Sequence, residues 1–362
     1  MFNPARLTIA RQRRKLTKKA LAEALRVDQK TVIRWEEGEA QPTDENVAAL
    51  GKALEFPCEF FHGDEIDQPL SDAVSFRALT SMSARDRDAA LAASSLAFLL
   101  SDWINTRFNI PAPDLVDFSN GVDPEAAAEM LRQKWGLGLK PIRNMVHLLE
   151  AKGVRVFSLA EDTRTLDAIS MWRRDLPYIF LNTAKTAERS RFDAAHELGH
   201  LVLHKHGGPQ GREAEDEANQ FASCFLMPRA EIQARLPRVH TLQEIVEAKK
   251  YWRVSVGALN YRLHKLRITS EWQYRRFCIQ SMERFSEAEP YPMQREVSTV
   301  WDQLLSALRR EGIHKHTIAD ALAVPVSEIE NLLFLLTNMQ SIDGQGATPA
   351  RSRARLRVIG QK

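Results

Sequence analysis

The stretch FDAAHELGHLVLH, residues 192–204, decides how the rest of the chain is read. Taken as a helix of 3.6 residues per turn, it sends the rings of His196 and His200, four residues apart, out of one face toward a single ion. Imidazole nitrogens at about 2.0–2.1 Å suit zinc, which has no geometric preference of its own and tolerates an open fourth position. Glu197 lies one step round the helix from His196. From there its carboxylate addresses water instead of the metal, as a general base that later hands the proton to a leaving amine. Two histidines leave the site incomplete, and the run EAEDEANQFASCFLMP, residues 213–228, supplies a second helix. Its apolar positions Ala218, Phe221, Ala222 and Phe225 follow helical spacing, and Pro228 stands near its end. Glu215 and Asn219 share one face, so Glu215 is expected to ligate and Asn219 to orient a ligand from behind. Glu217 competes as third ligand but points about 200° around the helix from Glu215.

HELGH followed by EDEANQFASCFLMP resembles the ImmA/IrrE family of metallopeptidases over about residues 71–275. The resemblance implies a minimal thermolysin-like fold, zinc as cofactor, His196, His200 and Glu215 as its ligands, and Glu197 as catalytic base. It also marks a departure, since Asp193 stands where the family commonly has Thr. His204 continues the ligand face but reads as a surface or core histidine, and His206 is weaker still. Cys224, among apolar residues, reads as a buried inert thiol, and Tyr178 as core.

The first 60 residues carry different chemistry. Pro4 starts a helix with Leu7, Ile9 and Leu16 as anchors; Thr17 caps a second with Leu21, Ala22 and Leu25; Asp28 caps a third with Val32, Ile33 and Trp35 inward. Gln29, Lys30, Thr31 and Arg34 remain as the outward set, suited to base edges and phosphates. Leu21-Ala22, Leu25, Val27, Val32, Trp35-Glu36, Gly38 and Pro42 resemble the lambda-repressor-like, or XRE, helix-turn-helix family over about residues 4–62. Lys18 stands where that family often has Gln, and Arg26 where it has a turn glycine. The resemblance implies DNA binding through Lys18, Gln29, Lys30, Thr31 and Arg34.

Charge agrees with a polyanion-binding head. The chain of 362 residues has a formal net charge of +3, yet residues 1–34 alone hold ten Lys or Arg against Glu23 and Asp28. Residues 341–362 add four arginines and Lys362 against Asp343, so the body between is acidic. Hydrophobic residues at 44% and charged residues at 27% exclude wholesale disorder. No apolar run reaches the roughly 18 residues a bilayer span needs. Three scattered cysteines, without CxxC spacing and without a leader pattern at the N-terminus, point to the cytoplasm.

These readings give a mainly α chain with a small β-sheet, an α+β architecture. Its expected parts are a helix-turn-helix domain (1–65), a linker with packing helices (66–130), a zinc metallopeptidase domain (131–275), a C-terminal helical domain (276–340) and a basic disordered tail (341–362). Helices are expected over 84–108, 124–135 and 142–151, a strand at 154–157 and a hairpin from 167–172 and 178–181 around RRDLP. The spacing of Leu21, Leu25, Val27 and Val32 recurs in Ala248, Trp252, Val254 and Leu259, and again in Ile318, Leu322, Val324 and Ile329. The last copy carries Glu328 and Glu330 where a DNA reader needs donors, so it is expected to pack against protein. The whole reads as a DNA-binding regulator, expected to be a homodimer for palindromic operators, whose metal domain cleaves or senses a regulatory protein. Two other readings stay open: a non-catalytic metal-domain sensor whose only output is DNA binding, and an antitoxin-like regulator that binds a partner toxin.

Overall fold

The computed structural model describes residues 1–69, 83–159, 167–206, 211–337 and 357–358. Four helices open the chain: α1 (Pro4–Arg13), α2 (Lys18–Leu25), α3 (Gln29–Glu36) and α4 (Asp44–Leu54). Each begins on a side chain that accepts an otherwise unpaired backbone N–H: Asn3 from Ala5, Thr17 from Ala20, Asp28 from Lys30 and Thr43 from Asn46. A 22-residue helix, α5 (Ala84–Asn105), follows. Its run of Ala89, Ala90, Ala92, Ala93, Leu96 and Ala97 is buried nearly all round, because small side chains let neighbouring elements approach from several sides. The helix stops short of the expected 108, since Phe108–Asn109 form strand β1. Of the basic tail only Arg357–Val358 are described, paired antiparallel with β1; the remainder of that expectation, like linker residues 70–82, lies outside the described residues.

The body continues with α6 (Pro124–Lys134) and α7 (Met145–Ala151). The latter begins three residues later than expected because Asn144 accepts the N–H of His147 and so sets the cap. Strands β2 (Arg155–Ser158), β3 (Ala168–Arg173) and β4 (Leu176–Leu181) form one sheet in the order β2-β4-β3, with β2 parallel and β3 antiparallel to β4. Alternation along these strands divides two cores. Phe157, Ile169, Met171, Tyr178 and Phe180 face a cluster shared with α5, the N-terminal helices and the C-terminal helices. Val156, Ala168, Ile179 and Leu181 face the second cluster, built around α8 (Ala187–Leu203) and α9 (Arg212–Leu226). Tyr178, expected as core, is fully buried on the first face, where its hydroxyl donates to Ser101 Oγ at 3.0 Å.

Helices α10 (Arg229–Arg235), α11 (Leu242–Trp252), α12 (Val256–Lys265), α13 (Glu271–Phe285), α14 (Thr299–Arg310), α15 (Lys315–Leu322) and α16 (Val326–Leu333) complete the described chain. The three sequence echoes are also three copies of one backbone geometry. The pairs α2/α3, α11/α12 and α15/α16 each turn on a left-handed residue, Arg26 (φ 57°), Arg253 (φ 57°) and Ala323 (φ 52°). In each, the next valine N–H returns to the preceding helix: Val27 to Ala22, Val254 to Lys249 and Val324 to Ala319. Left-handed backbone disfavours a Cβ, so packing of the paired helices must hold these turns.

Glu328 explains why the third copy has acidic residues. Its carboxylate, 2% exposed, receives Arg13 Nε and Arg14 Nη1, both at 2.6 Å, and Lys15 Nζ reaches Asp86 at 2.9 Å. Three of the ten N-terminal cations therefore fasten the head to the body. Removing one partner of a buried ion pair leaves the other charge uncompensated, at about 3–5 kcal/mol. Glu328→Ala is thus expected to lower unfolding free energy by about 3 kcal/mol in urea titrations, whereas Ala at exposed Glu287 should change it by less than about 0.5 kcal/mol.

Candidate functional site

Thr186 caps α8 by accepting the N–H of Arg189, and the helix then carries HELGH along its buried side. Helix α9 crosses it at Gly199. A Cβ at Gly199 would stand 3.1 Å from Phe221 Cδ1 and 3.2 Å from Ala218 Cα, so the glycine permits an approach that a larger residue would crowd. This approach brings Glu215 beneath the two histidines. His196 Nε2 and His200 Nε2 are 3.0 Å apart, and Glu215 Oε2 and Oε1 lie 3.4 Å from them respectively. Three ligands on one tetrahedral ion at about 2.0–2.1 Å would be separated by about 3.3 Å, so the donor set fits such an ion. Among the described residues, these three side chains are the group of His, Cys, Asp and Glu whose donor atoms converge in this way.

Glu197 stays outside that set. Its Oε2 accepts the Ser170 hydroxyl at 2.5 Å, which ties the carboxylate to edge strand β3. Burial pushes its pKa up to about 7, against the lowering effects of His196 and the Ser170 bond. Burial also pulls His200 down to about 4, which keeps its imidazole neutral. For Glu215, burial acts upward, but hydrogen bonds from His196 and His200 hold the carboxylate well below its usual range. For His196, burial acts downward and is outweighed by Glu215 and the nearby carboxylates, so its pKa is raised. Asp193, where the family resemblance expects Thr, is buried, sits 3.2 Å from Arg189 and is pushed upward by burial.

With both Nε2 atoms turned to the ion position, the Nδ1 atoms face outward. His196 Nδ1 lies 3.0 Å from Asn219 Oδ1, as the helix spacing suggests. His200 Nδ1 lies 3.0 Å from His204 Nδ1, and His204 Nε2 lies 3.0 Å from Glu217 Oε2. One tautomer satisfies the chain: His200 donates to His204, and His204 donates to Glu217. Sequence reasoning set His204 aside and weighed Glu217 only as a rival ligand. The missed signal was the continued four-residue spacing from His200 to His204. His206 is exposed and pairs with Asp117 at 3.1 Å, while Cys224 is buried with its thiol pushed up to about 12. A cleft of about 990 Å³ opens beside Asn219, with Arg189, Arg212, Arg229, Tyr261 and Lys265 on its walls.

At the other end of the chain, Gln29, Lys30 and Arg34 are exposed on α3, and Thr31 is half-buried. Lys18 behaves differently, with its Nζ 3.5 Å from Glu36 Oε2, the carboxylate that also binds Arg11 at 2.6 Å. Arg6 is buried and donates to Phe60 O and Asp64 O.

Residues 7–61 match the helix-turn-helix family, and residues 149–264 match the IrrE N-terminal-like domain, a peptidase family. The chain joins an XRE-like helix-turn-helix to an IrrE-like domain. A relative is the HTH-type transcriptional regulator DicA of Escherichia coli (strain K12), 38% identical over 65 residues. That alignment covers 18% of this chain and 48% of DicA, so the chain spans about half the length of this relative. The IrrE-like match contains HELGH, α9 and the sheet, and the helix-turn-helix match contains α2 and α3. No helix among the described residues is long and apolar enough to cross a membrane.

Outer partners of metal-bound histidines typically govern affinity by about 10–100-fold. Glu217→Gln in the IrrE-like domain is expected to weaken metal binding by about that factor, measured by competition with a chelating dye. Glu213→Gln, also on α9, should leave it unchanged.

Proposed function

We propose that this chain is a transcriptional regulator that binds a double-stranded DNA operator through α3 and hydrolyses a peptide bond in a regulatory protein with a zinc-dependent IrrE-like domain. The observation that carries the reading is the convergence of His196, His200 and Glu215 while Glu197 remains free and is held by Ser170. A zinc ion held by the three side chains supplies Lewis acidity to the scissile carbonyl and makes nearby water more acidic. Glu197 accepts the proton of the attacking water as the new C–O bond forms, then delivers it to the amine nitrogen as the C–N bond breaks. Ser170 fixes the plane of that carboxylate by donating to Oε2. Asn219 and His204 keep the two imidazoles turned inward.

At the DNA end, the exposed side chains of Gln29, Lys30 and Arg34 and the first turn of α3 offer donors to base edges and phosphates. Lys18 contributes by holding Glu36, which in turn positions Arg11 under the helices. Regulators of this type read palindromes as dimers, and the same expectation applies here.

A second reading has its own support. Glu197 is 3% exposed and His200 8%, so the described site is nearly closed, as suits a metal-dependent sensor that changes DNA binding without cleavage. The two readings separate on one variant. Under the hydrolytic reading, Glu197→Gln retains its metal but loses about 10²–10⁴-fold in cleavage of candidate repressors, followed by gel and mass spectrometry. Equal cleavage by the variant and the parent would defeat the hydrolytic reading, and unchanged promoter control without cleavage in either would favour the sensor. Arg34→Ala is expected to cost about 1–3 kcal/mol of operator affinity by fluorescence anisotropy at fixed salt.

A further inference from the structure

Helix α13 (Glu271–Phe285) differs from its neighbours in how little of it is inside. Over 15 residues, it buries Phe277 alone. On the opposite side Trp272, Ile279 and Met282 are 66%, 58% and 74% exposed, a concentration of large apolar surface not repeated elsewhere among the described residues. Arg275, Arg276, Glu283 and Ser286 are exposed on the same side. The exposed set 272, 275/276, 279, 282/283 and 286 repeats every seven residues in a three-four pattern, the seam of a two-helix coiled coil.

We infer that α13 is a homodimer interface, packing antiparallel against the α13 of a second copy about a two-fold axis at Ile279. The charges choose this arrangement. A parallel pair would set Arg275 and Arg276 against their own copies and Glu283 against Glu283. An antiparallel pair centred on Ile279 sets Arg275 opposite Glu283, Arg276 beside the apolar Met282, and Ile279 against itself, twice over by symmetry. Arg275 now pairs only within its own helix, with Glu271 at 2.7 Å and both side chains more than half exposed, so the contact is weak and can be exchanged. The Arg276 guanidinium lies 5.2 Å from the Trp272 ring centroid and extends the apolar stripe with its stem. One helix pair of about 22 Å buries less than the roughly 1,200–2,000 Å² of a standard interface, so the dimer is expected to be a weak, reversible one. The inference needs neither metal nor DNA.

The test is sedimentation equilibrium of the full chain without DNA, with far-UV circular dichroism to confirm folding. The parent is expected to show a reversible monomer–dimer equilibrium, and Ile279→Asp to raise the dissociation constant by at least about tenfold. Arg275→Glu should weaken the dimer, and the double exchange Arg275→Glu/Glu283→Arg should restore it. In a Cys58→Ser/Cys278→Ser background, Ile279→Cys should form a disulfide-linked dimer on mild oxidation, whereas Trp272→Cys should not. A parent that stays monomeric across the micromolar range, or a dimer indifferent to Ile279→Asp, overturns the inference. Strengthening by Arg275→Glu alone would overturn the antiparallel arrangement.

Discussion

The close contact of α8 with α9 at Gly199 is the constraint on which the candidate metal centre depends. His196 and His200 share one helix face by spacing alone, but two imidazoles do not make a site. The third donor comes from a helix whose backbone passes within van der Waals distance of Gly199, because no Cβ stands between them and Ala218. The same contact determines what lies behind the three donors. Asn219 is one turn beyond Glu215 and falls behind His196, while Glu217, on another side of α9, meets His204. A single interhelical approach thus sets the three donors and both outer supports.

The sheet gives that centre its floor and joins it to the rest of the molecule. Ser170 stands on the face of β3 that looks toward α8 and holds Glu197, while its neighbours Ile169 and Met171 look the other way into the core shared with α5 and the N-terminal helices. Three strands therefore serve two cores. Ion pairs complete the attachment: Glu328 gathers Arg13 and Arg14, and Asp86 meets Lys15. Helix α3 takes no part in these ion pairs, so the head is anchored from the C-terminal end of α1 while Gln29, Lys30 and Arg34 stay exposed.

Much of this was legible in the chain. The caps Thr17 and Asp28, the strand alternation around Tyr178–Leu181 and the Glu215/Asn219 pair each depend on interactions spanning a few residues, where propensity and period are informative. The repeated spacing of two apolar residues four apart and a valine two beyond likewise marks three turns of the same shape. Less legible was the use of charge. Ten basic residues near the N-terminus suggest a polyanion partner, yet Arg6, Arg11, Arg13, Arg14, Lys15 and Lys18 have intramolecular partners. Net charge records how many cations there are, not which carboxylate meets them.

By itself, the sequence determined the helical spacing of the two histidines, the three-helix head and the amphipathic strands, because these follow from local periodicity and capping. Only the tertiary structure decided that Glu217 stands behind His204, that Ser170 holds Glu197 and that Glu328 binds the head. Those pairs are 13, 27 and more than 300 residues apart along the chain. Their meeting depends on how helices and strands pack, and no local pattern encodes such a distance.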